Sequence, residues 1–542
     1  MKSKMDNKKF TLKNLYTNSV NNYPNNRAYS IINGESLTYK ELGIRAQALI
    51  SILNSNGVEK GEKVAILSGS MPNWPLSYLA ITTSARVAVP LLPDFTAFEI
   101  TNIIKHSGAK SIILSKKLLY KLSDATKEEL QLIIDIESLE VIKSSKNESV
   151  AENTLTPEEE DTAAIIYTSG TSGTSKGVIL THKNIVSNIE MTSTLFAITT
   201  EDVFLSFLPL SHAYECTLGM LYPFSRGASV TYLNGAPTAT ILMPALKKVK
   251  PTCICSVPLI VEKIFKNSVR PKFTSNLFMR MLYSFRPVRR VLHGIAGKKI
   301  IEMFGGRLRF FGIGGSKLDA SVEQFLRDAK FPYAIGYGLT ECSPLIAGQV
   351  ENVVYQSTGP KLKGVEMKIH NPNKDGIGEI IVRGANIMKG YYKDPIKTES
   401  AFIDGEWFRT KDLGIFDSKG NLYIKGRVDN MLIGANGENI YPEEIEAIIN
   451  DNSLVMESLV TKVGDRLVAK VHFNQESVEA IKEIKDIGKE LTYAQKQERL
   501  VKELLIYVNE RVNKNSKISE IIVQPIQFEK TATQKVKRYL YN

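Results

Sequence analysis

The chain has 542 residues, of which 43% are hydrophobic and 23% charged, and its net charge is +12. This composition is ordinary for a globular protein and excludes a largely disordered chain. The four cysteines are too few for a disulfide framework, and Cys253 and Cys255 lack the partner cluster that zinc would need. The basic N-terminus has no apolar segment behind it, and no run reaches the roughly 18 apolar residues of a spanning helix. We therefore expect a protein of the reducing cytoplasm that is neither secreted nor integral to a membrane.

The first 130 or so residues alternate between strand-like and helix-like stretches. Short apolar runs at 63–68, 87–91 and 111–114 predict strands, and 74–84 predicts a helix. Such alternation is typical of βαβ units, which build a buried and mostly parallel sheet. Residues 144–161 are polar and then acidic, which predicts a surface linker, and a further strand begins at Ala163.

From about Val350 the pattern changes to short alternating runs separated by glycines. These runs, at 364–369, 378–383 and 422–424, predict a small antiparallel sheet or barrel. After Arg427 the sequence predicts a helix at 441–450, a hairpin around Gly464, a charged helix over roughly 482–512 and a strand at 521–528. The last ~115 residues are enough for a small α+β domain.

Residues 167–178 carry the strongest local signal and read Tyr-Thr-Ser-Gly-Thr-Ser-Gly-Thr-Ser-Lys-Gly-Val. Glycines let backbone N–H groups converge on an anion, the hydroxyls add donors, and Lys176 adds a positive charge. We expect this segment to follow a strand and precede a helix, where phosphate groups bind. It lacks the GK[ST] ending of a Walker loop, and the alternative interpretation is a flexible Ser/Gly linker.

Further motifs follow in chain order: LPLSHAYE at 208–215, FGIGGSK at 311–317, GYGLTE at 336–341, GEWFRTKDLG at 405–414, GRVD at 426–429, NGENIYPEE at 436–444 and KTATQKVKR at 530–538. Together with the glycine-rich segment, they resemble the motifs of the adenylate-forming superfamily of acyl-CoA synthetases, luciferases and peptide-synthetase adenylation domains. The HAYE segment and the C-terminal KTATQKVKRYLY are most similar to those of long-chain fatty acid–CoA ligases. Gln534 and Glu529 depart from the glycine and proline usual in the last motif.

The resemblance implies a role for individual residues. The catalytic residues that it implies are Lys535, His212, Thr340, Glu341 and Lys176. Lys535 is preferred to Lys530, Lys537 and Arg538 as the catalytic lysine. The ATP-binding residues that it implies are Thr168, Ser169, Gly170, Thr171, Ser172, Gly173, Thr174, Lys176, Gly315, Ser316, Gly336, Tyr337, Gly338, Thr340, Asp412 and Arg427.

Within that set, the resemblance implies that Tyr337 faces adenine, Asp412 binds the ribose hydroxyls and Arg427 lies against ribose and phosphate. Thr168 and Glu341 are implied as the Mg²⁺ ligands, in keeping with the preference of a hard cation for oxygen ligands. Asp429 is implied as a hinge residue, and Gly437 lies on the side of the coenzyme A path.

The fold implied is α/β. A large N-terminal domain, residues 1–427, would contain mostly parallel sheets flanked by helices and a β-barrel-like subdomain at about 350–426. A small mobile α+β domain, residues 428–542, would carry the catalytic lysine and rotate about Asp429 between two half-reactions.

The reaction implied is the ATP-dependent activation of a fatty acid, most like a long-chain acid, through an acyl-adenylate. Transfer to coenzyme A would then release AMP, with pyrophosphate leaving in the first step and Mg²⁺ assisting. No tryptophan lies between Leu208 and Glu341 to shorten an acyl pocket. Transfer to acyl carrier protein is an alternative that shares every motif, and activation of a shorter or aromatic acid is a second alternative. A regulatory protein with a degenerate site is disfavoured, because the implied catalytic residues are intact.

Residues 262–309 concentrate the positive charge, with twelve Lys or Arg against Glu262 and Glu302. Apolar and aromatic residues are interleaved with the arginines, a pattern that can lie on an anionic membrane surface. An ordinary amphipathic helix, or a patch that steers ATP and coenzyme A phosphates, explains the pattern equally well. No nucleic-acid-binding module is recognised, so a nucleic acid partner is not expected. Peripheral association with the inner face of the membrane and a homodimer are left open.

Overall fold

The computed structural model describes residues 9–145, 155–169, 175–235, 237–273, 277–433, 439–452, 454–464, 466–479, 485–486, 489–490, 492–531 and 536–541. The elements up to residue 193 are α1 Leu12–Asn22, β1 Arg27–Ile31, β2 Ser36–Thr38, α2 Tyr39–Ser55, β3 Lys63–Leu67, α3 Asn73–Thr83, β4 Val87–Leu91, α4 Ala97–Ser107, β5 Ser111–Leu114, α5 Asp124–Glu129, β6 Leu132–Asp135, β7 Val141–Ser144, β8 Thr162–Ser169, β9 Ser175–Thr181 and α6 His182–Ser193. The predicted strands and helix of this region are confirmed.

The next region, up to residue 350, contributes strands to one sheet and helices to its faces. Its elements are β10 Val203–Ser206, α7 Tyr222–Ser225, β11 Ser229–Tyr232, α8 Ala239–Val249, β12 Cys253–Ser256, α9 Pro258–Ile264, α10 Arg270–Phe273, α11 Leu277–Ser284, α12 Arg286–Met303, β13 Phe310–Ile313, α13 Ala320–Asp328, β14 Tyr333–Gly338 and β15 Leu345–Val350.

A mostly antiparallel region follows, with β16 Glu366–His370, β17 Gly378–Arg383, β18 Gly390–Tyr391, α14 Pro395–Ser400, β19 Phe402–Ile403, β20 Trp407–Phe416 and β21 Leu422–Arg427. The C-terminal elements are β22 Leu432–Ile433, β23 Asn439–Ile440, α15 Pro442–Asn450, β24 Val455–Val463, β25 Arg466–Phe473, α16 Gln475–Glu479, β26 Lys485–Asp486, β27 Lys489–Glu490, α17 Tyr493–Asn509 and β28 Glu520–Val523.

Two eight-stranded sheets dominate the molecule. Their strand orders are β15-β14-β13-β12-β10-β11-β1-β2 and β18-β9-β8-β4-β3-β5-β6-β7. The inner strands of both sheets are parallel, and antiparallel strands close the ends. Because parallel strands are buried on both faces, their continuous apolar runs identified them in the sequence. The α/β class and the mostly parallel sheets are confirmed.

The smaller sheets lie in the second half of the chain. Strands β16, β17, β20, β19 and β21 form an antiparallel sheet of five strands, and β24, β25 and β28 form a sheet of three. The three-stranded sheet packs with α15 and α17 around an apolar core of its own, which includes Ile445, Val471 and Leu504. Among the described residues, no helix is both long enough and apolar enough to cross a membrane.

Three local predictions are wrong. The glycine-rich segment does not lead from a strand into a helix: it joins the antiparallel strands β8 and β9, and α6 begins only at His182. The charged helix begins at Tyr493 rather than near Lys482, because Thr492 caps it with Gln495 in a capping box. The last strand ends at Val523, before the predicted Phe528.

Candidate active site

Lys176 and Glu341 come together where the two large sheets approach each other. Lys176 lies on β9, and Glu341 lies in the single turn Thr340–Cys342 that follows β14. The Lys176 Nζ atom is 2.7 Å from Glu341 Oε1. The backbone of the Glu341 turn is held in place because its carbonyl accepts a hydrogen bond from the Met388 N–H at 2.8 Å. Two motifs 165 residues apart therefore meet in one ion pair.

Tyr391 completes this cluster, and it is a residue that the motifs did not single out. Lys176 Nζ donates to the Tyr391 hydroxyl at 2.8 Å, and that hydroxyl donates to Glu341 Oε1 at 3.0 Å. Strand β18 pairs with β9 and sets Tyr391 opposite Val178, which brings the ring to Lys176. Burial and the Glu341 carboxylate raise the pKa of Tyr391, so its hydroxyl keeps its proton. The sequence shows two adjacent tyrosines, at 391 and 392, but local sequence alone cannot tell which of them points toward Lys176 and Glu341.

Glu341 is ionised although it is buried. Burial alone would raise the pKa of this carboxyl, but the Lys176 ammonium and the Tyr391 hydroxyl hold it below its usual value. Lys176 keeps 27% of its side chain exposed, whereas Glu341 keeps 8%. The pair therefore presents a fixed carboxylate and a cation that retains access to solvent.

A second network joins Tyr337, Asp412 and Arg427. The Tyr337 hydroxyl donates to Asp412 Oδ2 at 2.7 Å, and Arg427 Nη1 donates to Asp412 Oδ1 at 2.7 Å. Asp412 and Arg427 are cross-strand partners on β20 and β21, and Tyr337 reaches them from the end of β14. Burial and the Asp412 carboxylate raise the pKa of Tyr337 well above its usual value. The structure thus brings together three residues that the resemblance assigned to one nucleotide.

Two buried donors in or beside these networks have no hydrogen-bond partner among the described residues. They are the Thr168 hydroxyl and Arg427 Nε. Thr168 faces Lys176 across the β8–β9 hairpin. Because unpaired buried polar groups are rare in native proteins, these two are suited to oxygen atoms of a bound ligand. Ser169 ends β8, whereas Gly170, Thr171, Ser172, Gly173 and Thr174 lie outside the described residues.

The residues present fit a magnesium ion held jointly with phosphates. No cluster of three His, Cys, Asp or Glu side chains suited to a metal occurs in the part of the chain that the structure describes. Glu341 offers a buried carboxylate and Thr168 a buried hydroxyl. Mg²⁺ commonly takes one or two protein oxygens and completes its shell with water and substrate phosphate. That donor set is adequate for Mg²⁺ bound together with a nucleotide.

Glycines allow the remaining motifs to approach one another. A Cβ atom at Gly312 would lie 3.1 Å from the Tyr214 hydroxyl, and one at Gly338 would lie 1.9 Å from the Pro344 carbonyl oxygen. Gly336 and Gly338 both lie on β14. A Cβ at Gly314 would lie 3.7 Å from the Gly336 carbonyl oxygen. The HAYE, FGIGGSK and GYGLTE motifs therefore lie side by side at the strand ends.

Three further predicted residues flank this region. Gly315 has a positive φ of 96°, which favours glycine, and turns the chain after β13 so that Ser316 is exposed. His212 is half-buried, and its backbone carbonyl accepts from the Cys216 N–H at 2.9 Å.

Glu215 is a buried carboxyl that no assigned role uses. It is 1% exposed, begins the π-helical turn Glu215–Leu221, and has neither oxygen paired among the described residues. Burial raises the pKa of Glu215 to about 8. The side chain is therefore mostly neutral at pH 7, in keeping with the cost of burying an unpaired charge.

The predicted hinge and catalytic lysine are located only in part. Asp429 lies in the turn Val428–Asn430, and Lys411 Nζ is 3.2 Å from its Oδ1 atom. Gly437 and Lys535 lie outside the described residues. On either side of Lys535 the chain is anchored, by Lys530 Nζ at 2.7 Å from Glu457 Oε2 and by Arg538, which pairs with Glu446.

Comparison with known proteins places this geometry in a family context. The family described as AMP-binding enzyme matches residues 16–392. Long chain acyl-CoA synthetase 6, peroxisomal, of Arabidopsis thaliana is 31% identical over 455 residues, which are 76% of this chain and 64% of the relative. Long chain acyl-CoA synthetase 1 of the same plant is 29% identical over 506 residues, 83% of this chain and 76% of the relative.

Solved structures show the same fold. The O-succinylbenzoate coenzyme A synthetase of Bacillus subtilis, in complex with ATP and magnesium ion, aligns with a TM-score of 0.76 over 97% of this chain and 98% of its own. Because the two sequences are only 22% identical, this similarity supports the fold alone. The chain spans 64% of the length of the first plant synthetase that it matches.

Proposed function

The chain belongs to the family of AMP-binding enzymes, and on that premise we propose that it activates a fatty acid with ATP and transfers the acyl group to coenzyme A. The first step forms an acyl-adenylate and pyrophosphate, and the second forms the thioester and AMP. The observation that carries the proposal is the convergence of the Lys176–Glu341–Tyr391 and Tyr337–Asp412–Arg427 networks at neighbouring strand ends. The names of the plant relatives support a long-chain acid.

The first step requires an oxygen of the fatty acid carboxylate to attack the α-phosphate while pyrophosphate leaves. Catalysis of such a step is mostly positioning and neutralisation of phosphate charge. We assign Lys176, Thr340 and Lys535 to the phosphates, Tyr337 to adenine, and Asp412 with Arg427 to the ribose. We assign Gly336, Gly338, the Gly315–Ser316 turn and residues 168–174 to the same nucleotide as further binding residues.

Glu341 and Thr168 would hold a magnesium ion bound together with the phosphates. The bound ion would neutralise phosphate charge. In the structure, Lys176 Nζ forms an ion pair with the Glu341 carboxylate. On nucleotide binding we expect Lys176 to move from Glu341 to a phosphate oxygen, which its partial exposure allows.

The second step needs a thiol at the acyl carbonyl in place of the catalytic lysine. We propose that residues 1–427 and 428–542 act as two domains that rotate about Asp429. One orientation delivers Lys535, and the other opens a thiol path past Gly437 toward His212. The separate apolar core of the C-terminal elements supports this division, since such a unit can move as a rigid body.

The acceptor and the acid are the points on which alternatives remain. Acyl carrier protein would use the same adenylation residues as coenzyme A. A shorter or aromatic acid is the second alternative, and 4-coumarate–CoA ligase 1 of parsley, 27% identical over 463 residues, is among the relatives. The absence of tryptophan between Leu208 and Glu341 favours the longer acid.

The test is AMP formation from ATP across a panel of acids from short to long and aromatic, with coenzyme A and acyl carrier protein compared as acceptors. We expect AMP and pyrophosphate, with the highest kcat/KM for a long-chain acid and coenzyme A. Release of ADP instead of AMP would overturn the reaction. A preference for carrier protein or for a short acid would replace the acceptor or the substrate and leave the adenylation step intact.

A further inference from the structure

Helices α11 and α12 form a pair whose outer side is apolar. Phe278, Met281, Phe285, Val291 and Ile295 are between 51% and 63% exposed. Phe278 and Met281 are three residues apart and share one side of α11, and Val291 and Ile295 are four apart and share one side of α12. Phe285 lies at the bend between the two helices. We call these five residues the outer face. Clusters of exposed apolar side chains mark interaction sites, whereas scattered single ones are normal on protein surfaces.

Positive charge surrounds the outer face. Residues 277–303 contain six Lys or Arg and a single acidic residue, a net charge of +5. Arg286, Arg290, Lys298 and Lys299 are exposed on α12 beside the apolar side chains. A long cationic side chain can keep its charge in the headgroup layer while neighbouring apolar groups enter the acyl boundary.

The structure narrows the basic segment that the sequence indicated. Lys266 Nζ is 2.9 Å from Asp319 Oδ2 and donates to the Asn450 carbonyl, so this cation serves contacts within the protein. Arg309 pairs with the buried carboxylate of Asp202. Lys266 and Arg309 are therefore used within the protein, whereas Arg286, Lys298 and Lys299 are exposed on α12.

The direction of the outer face is fixed by the buried side of the pair. His293 on α12 is 2% exposed, and its two ring nitrogens lie 2.8 Å from the Tyr283 hydroxyl and 2.9 Å from Asp328 Oδ2. Gly297 packs against Ala329, which follows α13. These contacts join α11, α12 and α13, so the apolar side chains of the outer face cannot turn inward without breaking them.

The same helix also borders the layer beneath the candidate site. Ile300 of α12 and Phe311 of β13 line one small apolar cavity. Strand β13 ends at Ile313 and leads directly into the Gly315–Ser316 turn assigned to the nucleotide pocket. A surface that bound lipid here would lie on the far side of α12 from that turn.

We propose that the outer face of α11 and α12, with its rim of Arg and Lys, docks the enzyme on an anionic lipid bilayer. This inference deepens the proposed function and rests on it for its purpose, since a long-chain acid dissolves in membranes. Charge complementarity favours anionic lipid over a second copy of the chain, because each copy would bring a net charge of +5 to the contact. The bilayer supplies both the negative charge and the apolar layer that the outer face matches.

The test is co-sedimentation of the full chain with vesicles of phosphatidylcholine, with and without phosphatidylglycerol. We expect binding to the anionic vesicles at about 0.1 M salt and its loss at about 1 M, where the Debye length falls to about 3 Å. No binding to anionic vesicles at low salt would overturn the proposal. Equal binding to both vesicle types would also overturn it.

Two triple variants separate charge from apolar contact. Arg286→Gln/Lys298→Gln/Lys299→Gln removes three exposed cations, and we expect roughly a hundredfold weaker partitioning, since each cation contributes about fivefold. Phe278→Ser/Phe285→Ser/Val291→Ser should also weaken binding. The matched controls are Lys105→Gln/Lys110→Gln/Lys117→Gln and Phe98→Ser/Ile396→Ser/Ile506→Ser, all at exposed positions elsewhere. Equal loss in variants and controls would refute the outer face.

The same variants distinguish a failure of docking from a failure of the proposed function. AMP formation with a water-soluble acid and no vesicles should be unchanged in all four variants, which also reports that they fold. Protein that forms AMP but does not bind anionic vesicles would refute the docking proposal and leave the proposed function standing. Protein that binds anionic vesicles but forms no AMP with any fatty acid would refute the proposed function and leave the docking proposal standing. A dimer in sedimentation velocity that the serine variant abolishes would assign the outer face to a second copy and overturn lipid docking.

Discussion

Glu215 is a residue whose burial has a measurable consequence for stability. Its pKa of about 8 in the folded chain lies above the usual value of 4.5, so folding favours the protonated form. The folded state then binds more protons than the unfolded state between about pH 4.5 and pH 8, and stability falls as pH rises through that range. The upper bound of this loss is about 1.4 kcal/mol per pH unit.

Replacing Glu215 by Gln should remove this dependence, because an amide stays neutral at every pH in the range. We expect the Tm of Glu215→Gln to exceed that of the parent by a few degrees at pH 8 and to approach it near pH 5. Differential scanning calorimetry at both pH values measures the effect. Glu128→Gln, at an exposed carboxyl, is the control, and an unchanged pH profile for Glu215→Gln would contradict the prediction.

Tyr391 offers a matched test at the candidate site. Tyr391→Phe removes the hydroxyl that bridges Lys176 and Glu341, and a hydrogen bond to a charged group contributes about 1.5–3 kcal/mol. We expect kcat/KM for AMP formation to fall at least tenfold while the fold is kept. Tyr392→Phe is the neighbouring control, since it removes only a bond to the Ser107 carbonyl. Similar activities for the two variants would show that Tyr391 has no special part in the reaction.

Helix α12 contains two glycines that predict opposite effects of the same substitution. A Cβ at Gly294 meets nothing within 4 Å, whereas a Cβ at Gly297 would lie 2.6 Å from the Ala329 Cβ. Alanine in an open helical position stabilises by up to about 1 kcal/mol, and overpacking costs about 1–3 kcal/mol. We expect Gly294→Ala to raise the Tm and Gly297→Ala to lower it. Equal shifts would mean that α12 does not pack on α13 as described.

Predictability from sequence differed among elements for physical reasons. Strands β3, β4 and β5 are buried on both faces, so their continuous apolar runs were enough to predict them as strands from sequence. The β8–β9 hairpin was missed because its pairing depends on register between residues on either side of the glycine-rich turn, which a local pattern does not report. The start of α17 was readable from Thr492 and Gln495, but the charged residues before them have helical spacing of their own.

The candidate site was predictable mainly through the order of its motifs. Resemblance named Lys176, Glu341, Asp412 and Arg427, and the structure pairs Lys176 with Glu341 and Asp412 with Arg427. It did not name Tyr391, whose position depends on the pairing of β18 with a strand more than 200 residues earlier. Long-range pairing of this kind follows from the whole fold rather than from any segment.

At the scale of the whole molecule, the proposed rotation predicts a division of labour. Lys535→Ala should lose ATP–pyrophosphate exchange by orders of magnitude, yet still convert supplied acyl-adenylate and coenzyme A into thioester. Lys530→Ala is the control, because Lys530 pairs with Glu457 on β24, among the C-terminal elements. Equal losses in both half-reactions of Lys535→Ala would contradict the rotation of two domains.

The position of Arg427 has a consequence for communication between the two parts of the chain. It is the last residue of β21, its guanidinium is fixed on Asp412, and only Val428 separates it from Asp429. A ribose that competes for Asp412 would alter the contact at the end of β21, the strand that precedes the proposed hinge at Asp429. Under the proposed two-domain rotation, nucleotide binding and release would then change the torsional freedom of the backbone at residues 427–429, so the substrate itself would help to set when the domains rotate.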